Sequence, residues 1–191
     1  MTALLRVVWL LVTALAVPAA VFAAPVHPPQ PPNWEPQLVA ASHTEPVAAS
    51  FVSQVRHALA PGVGNERGLQ VQTILAERAI SAKFPEIRSI GGVRPDSMKW
   101  HPNGLAIDVM IPNWDTAAGR DLGDRITKFV FANADRFGLE YVIWQRTYHP
   151  ASGKPHLMDD LGSPDANHYT HVHMSSYGGG YPKGGETYFS N

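Results

Sequence analysis

Four side chains in this sequence can do chemistry together. His101 and Asp108 stand seven residues apart in His101-Pro102-Asn103-Gly104-Leu105-Ala106-Ile107-Asp108, and His171-Val172-His173 follows about sixty residues later. Such a set can hold a divalent metal through three protein ligands and leave one position open for water. A zinc ion held in that way is a hydrolase site more often than a structural one. Cysteine is absent, which excludes disulfides, thiolate zinc sites and a cysteine nucleophile. Any metal must therefore be held by His, Asp or Glu. Two imidazoles and one carboxylate also suit a ferrous oxygenase. The seven-residue spacing and the nearby His168 and His171 argue against it.

Two strands must position these groups. Residues 105–111 alternate: Leu105, Ile107, Val109 and Ile111 share one face, and Ala106, Asp108 and Met110 share the other. A carboxylate beside small Ala106 is tolerated only if hydrogen-bonded, paired or bound to a metal. Pro102-Asn103-Gly104 is a turn sequence that folds His101 back toward Asp108, with Gly104 expected at positive φ. In a strand over 169–175, His171 and His173 point the same way and Val172 points into the core.

The remaining elements follow from periodicity. Helices are expected over 51–60, 69–84 and 116–137, the last closed by Gly138. Brief strands are expected at 87–90 and 139–144, with a long polar loop over 145–167 and a loosely held Gly-rich tail from Gly178. This order implies an α+β fold, a small mixed or antiparallel sheet with helices on one face.

The N-terminus reads as a secretory signal peptide, residues 1–23. Arg6 precedes an apolar run over 7–17 broken only by Thr13, Pro18 ends the run, and Val21-Phe22-Ala23 places small residues for cleavage. An uncleaved anchor is the alternative, and only then is the membrane a partner. Residues 24–50 form a linker crowded with Pro25, Pro28, Pro29, Pro31, Pro32 and Pro36, suited to polyproline II. The domain proper is placed at 51–191, a monomer, secreted or extracytoplasmic and able to associate with the cell wall. With 15 basic against 16 acidic residues, the charge gives no case for nucleic acid or an anionic surface as partner.

The pattern His101-x-x-Gly104-x-Ala106-x-Asp108 with His171-x-His173 resembles the zinc peptidases that group lysostaphin-like enzymes, D-Ala-D-Ala peptidases and the hedgehog signalling domain. The run His168-Tyr169-Thr170-His171-Val172-His173 resembles the murein endopeptidase branch, and the likeness covers residues 79–176. The resemblance implies a hedgehog/D-Ala-D-Ala-peptidase-like fold. It implies one Zn2+ on His101, Asp108 and His173, with His171 as the imidazole serving a zinc-bound water and His168 as a further active-site histidine. Arg94 matches a position where relatives hold a substrate carboxylate. The implied activity is amide hydrolysis in peptidoglycan peptides, as carboxypeptidase or endopeptidase. The alternative, which the hedgehog branch illustrates, is a non-catalytic zinc-containing module that binds cell wall or protein. The chain departs from its relatives in two places. Lys99-Trp100 replaces a Ser-x pattern before the first ligand, and Thr170 stands where the carboxypeptidases carry a glutamate base.

Other groups carry weaker expectations. Trp144, Gln145, Tyr148 and Tyr169 are candidates for a groove lining, and Trp100 for a pocket wall or lid. His149 and His156 are read as solvated, and Glu140 is given no role.

Overall fold

The computed structural model describes residues 56–190. The expected signal peptide, the linker and the first part of the 51–60 helix lie outside the described residues. Residues 56–60 are extended instead of helical. Ala58 bridges Phe189 in antiparallel fashion, and the Leu59 N–H donates to the Tyr188 carbonyl. A short amphipathic run closed by Pro61-Gly62 is too brief to sustain a helix without other support, and here a returning strand supplies the backbone partners.

The elements in chain order are α1 (Val71–Lys83), β1 (Ile90–Gly91), β2 (Ala106–Met110), α2 (Ala117–Ala132), α3 (Ala134–Phe137), β3 (Leu139–Trp144), β4 (Thr147–Pro150), β5 (His156–Leu157) and β6 (His171–Ser176). The six strands form one open sheet in the order β1-β2-β6-β3-β4-β5. Every neighbouring pair is antiparallel. The fold is therefore α+β with a wholly antiparallel sheet.

Helices α1 and α2 cover one face. Ile107 and Val109 of β2, Val142 and Trp144 of β3, and Val172 and Met174 of β6 pack there against Ile74, Ile80, Leu122, Ile126 and Val130. Period-two alternation leaves Asp108, Tyr141, Ile143, His171 and His173 on the other face.

The single helix expected over 116–137 is two. Thr116 caps its start by accepting from the Gly119 N–H, and Asn133 interrupts it. The Asn133 side-chain amide donates to the Phe129 carbonyl, which diverts a helical acceptor. Gly138, at φ 55, closes α3 in the left-handed conformation.

The expected polar loop over 145–167 contains β4 and β5. The β3–β4 connection is a two-residue turn, Gln145 at φ 50 and Arg146 at φ 57. Two left-handed residues make the type I′ geometry that matches strand twist, without the usual Asn-Gly.

The Gly-rich tail is tied down, not loose. The Gly180 and Gly178 carbonyls accept from the Val71 and Gln72 N–H groups, first-turn donors of α1 that no helical carbonyl can satisfy. The tail then returns to Ala58, and Tyr188 enters the core. No described helix is long and apolar enough to cross a membrane.

Candidate metal centre

The cross-strand register places the site. Asp108 of β2 lies directly opposite His173 of β6, and Met110 lies opposite His171. Directly opposite residues have Cβ atoms about 4.5–5.5 Å apart, so a carboxylate and an imidazole meet without strain. The third group arrives through the turn before β2. The Gly104 N–H donates to the His101 carbonyl, and the Gly104 carbonyl accepts from the Gln70 N–H. Gly104 has φ +67, and a Cβ there would lie 2.0 Å from the Gly68 oxygen, so only glycine fits.

His101, Asp108 and His173 are all buried. One ligand atom from each lies within 4.8 Å of the others. The His173 Nδ1 is 2.8 Å from Asp108 Oδ1, and the His101 Nε2 is 3.4 Å from Asp108 Oδ2. The two imidazole nitrogens are 3.3 Å apart.

Contacts on the far sides of the rings hold them in place. The His101 Nδ1 lies 2.8 Å from the Gly92 carbonyl, which can only accept. The Arg94 Nη1 lies 2.9 Å from the same nitrogen, so Nδ1 meets both an acceptor and a donor, and Nε2 faces Asp108 and His173. The His173 Nε2 is 3.0 Å from the Ser175 hydroxyl. That contact anchors the ring with Nδ1 toward Asp108. A carboxylate and two imidazoles at these distances draw in positive charge, and the Arg94 guanidinium lies against them. The N, N, O donor set fits a divalent cation such as zinc, and the outward ring contacts are those that hold metal-binding histidines.

Asp108 is ionised. Burial pushes its carboxyl up, but contacts with His101 and His173 and the charge of the imidazoles outweigh burial and hold it far below the usual carboxylate range. Arg94 also touches it, donating from Nη1 to Oδ2 at 2.6 Å. Arg94 thus sits at the metal set, half exposed, with its other end 3.8 Å from Asp96.

His171 and His168 stand beside the ligands. The His171 Nε2 is 3.6 Å from Asp108 Oδ1. The His168 ring lies 4.9 Å from the His171 ring and 5.5 Å from the His173 ring. Burial lowers both: His171 falls below its ordinary value, and His168 falls to about 4, helped by repulsion from His171 and His173. Both are neutral at pH 7 and able to accept a proton. His168 holds φ 54, unusual for a residue with a side chain. The β3–β4 turn clamps it there, because the Gln145 and Arg146 N–H groups donate to the His168 and Asn167 carbonyls.

These groups open into a groove of about 560 Å³. Arg94, Trp100, Tyr141, Ile143, Met158 and Leu161 line it together with His101, His168, His171 and His173. Trp100 is thus a wall, as one of its two readings held. Its indole donates to Glu140 at 2.7 Å, a role for Glu140 that strand alternation alone did not reveal. Of the aromatics expected to line a groove, Trp144 faces the core and donates to Asp124 instead. Gln145, Tyr148 and Tyr169 are not part of the lining. Tyr141 takes their place, its ring stacked 5.6 Å from that of His173. Its position on the same strand face as Ile143 was the signal that could have found it. His156 is exposed, whereas His149 is half-buried beside Phe131.

The family model described as VldE, C-terminal domain matches residues 65–169. That is more than half of the chain, and the chain belongs to this family. The match includes His101, Asp108 and His168 and ends just before His171 and His173. No curated protein matches, and no solved structure matches.

Proposed function

We propose that this domain is a secreted zinc-dependent peptidase that hydrolyses an amide bond in peptidoglycan peptides. The observation that carries the reading is the buried convergence of His101, Asp108 and His173, with one ligand atom from each within 4.8 Å of the others. Three converging ligand groups beside an open groove suit a hydrolytic metal better than a closed structural site. The resemblance to zinc peptidases, with the hedgehog/D-Ala-D-Ala-peptidase-like fold it implies, supplies the reaction class. The export signal and the proline-rich spacer supply the wall as location.

His101, Asp108 and His173 would hold the ion. When bound, zinc polarises an amide carbonyl and brings the pKa of a water to about 7. The chain's own groups do the rest. Asp108 contributes the negative charge that draws in the cation. Neutral His171, facing the metal set through Nε2, takes the proton from the attacking water and returns it to the departing amine. His168 neighbours His171 and is neutral at working pH, so it adds no repelling charge when His171 is protonated. Trp100, Tyr141 and Ile143 exclude solvent from one side of the groove. Arg94 is placed to receive a substrate carboxylate at the groove mouth while its Nη1 holds Asp108.

Substitution of His173 by Ala tests the assignment. The variant should fold, as circular dichroism would report, and lose zinc-dependent turnover of muropeptides. Turnover equal to the parent would refute the ligand set.

A further inference from the structure

Thr170 stands where the carboxypeptidases that this chain resembles carry a glutamate base. The structure supplies a carboxylate from elsewhere. Thr170 Oγ1 donates to Asp165 Oδ1 at 2.6 Å. The same Thr170 oxygen lies 2.9 Å from His171 Nδ1. With its own proton committed to Asp165, that oxygen can only accept from the ring. The His171 Nδ1 is 3.6 Å from Asp165 Oδ1, too far for a good direct hydrogen bond, so the hydroxyl is the bridge.

We propose that Asp165 and Thr170 are positioning residues that hold His171 as its Nδ1–H tautomer, leaving the Nε2 lone pair aimed at the metal set. This rests on the peptidase reading above for its purpose, though not for its geometry. The order carboxylate, hydroxyl, imidazole does by two steps what a carboxylate does directly behind a catalytic histidine. Asp165 itself is held by a compact turn. The Asp165 carbonyl accepts from the His168 N–H, and the Ser163 and Pro164 carbonyls accept from the Asn167 and Tyr169 N–H groups. Sequence reasoning passed over both residues. Thr170 was noted only as a missing glutamate, and Asp165 lay in an expected loop.

The test reads the ring directly. In the full chain labelled with nitrogen-15 at histidine, with zinc added at neutral pH, long-range proton–nitrogen correlation distinguishes the two tautomers of His171. The Nδ1–H form is expected. Thr170→Val should shift His171 to the Nε2–H form, Thr170→Ser should restore it, and Asp165→Ala should weaken the preference. Asp165 is 76% exposed at its side chain, so its replacement leaves no cavity and serves even if Thr170→Val fails to fold. A parent protein in the Nε2–H form, or an Nδ1–H form that persists in both Thr170→Val and Asp165→Ala, would overturn the proposal. On muropeptides, Thr170→Val should lower kcat by about tenfold or more with little change in KM, and Thr170→Ser should recover most of the loss. If the parent hydrolyses nothing, the peptidase reading fails while the tautomer still decides the relay.

Discussion

The chemistry of single residues in this site is set by what lies behind them. His101 is useful because the Gly92 carbonyl takes one of its nitrogens. His173 is useful because Ser175 takes the other end of its ring. Zinc affinity should therefore grade with distance from the ion. Replacing Asp108 with Asn should weaken zinc binding by more than about 100-fold, beyond the 10–100-fold range for supporting groups, where Ser175→Ala should fall. Competition with a chromophoric chelator measures both, and equal losses in the two variants would contradict the assignment. At this scale the sequence was informative. The buried group that could hold a metal ion was legible because Asp108 and His-x-His share one strand-face pattern and a turn sequence brings His101 beside them. The supporting groups were not legible, because Gly92, Ser175 and Asp165 reach the site only through the register of the sheet and the path of a loop.

Elements transmit that register. The turn at Gly104 holds His101 over β2 and also anchors the start of α1 through Gln70. Gly104→Ala would place a methyl 2.0 Å from the Gly68 oxygen at φ +67. It should cost about 2–4 kcal/mol, combining overpacking with left-handed strain. Zinc affinity should fall along with the melting temperature, and normal values of both would be contrary evidence. Helix α1 carries a second testable feature. Glu77 is fully buried, with Oε1 accepting from the Gly64 N–H at 2.6 Å and from Ser81 at 3.1 Å. Its Oε2 has no hydrogen-bond partner among the described residues. Burial raises its carboxyl above the ordinary value, outweighing those hydrogen bonds. A raised carboxyl binds its proton more tightly when folded, so its contribution to stability is greatest in acid and is lost as pH rises through the raised value. Glu77→Gln keeps the Oε1 acceptor and removes the charge. Its melting temperature should exceed the parent's at neutral pH, and the gap should close as pH falls; a pH-independent gap would contradict this. The strand over 105–111 was legible from its alternation, and the one over 139–144 from its apolar run after Gly138. Strands β4 and β5 were not, because the β3–β4 turn has no glycine and their residues are only half-buried or exposed.

Across the whole molecule, the site is one face of a sheet whose other face makes the core. The two ends of the described chain complete that core. The tail satisfies the first turn of α1, Tyr188 enters the core, and Phe189 pairs with Ala58. Glycines suggested a loose tail because composition does not show where backbone partners come from. Truncation after Tyr177 should lower stability by about 3–5 kcal/mol, from several backbone hydrogen bonds at about 1 kcal/mol each and a lost aromatic contact. Chemical denaturation measures the loss, and an unchanged midpoint would show the tail to be dispensable. On the proposed reading, this face hydrolyses an amide of peptidoglycan peptides with zinc at His101, Asp108 and His173. That reading is tested most directly by incubating purified muropeptides with the zinc-loaded chain, with and without chelator, and weighing the products. The account predicts loss of one defined amide bond, abolished by chelator and restored by zinc. Muropeptides returned intact from a folded, zinc-loaded protein would contradict it and would favour a module that binds the wall without cutting it.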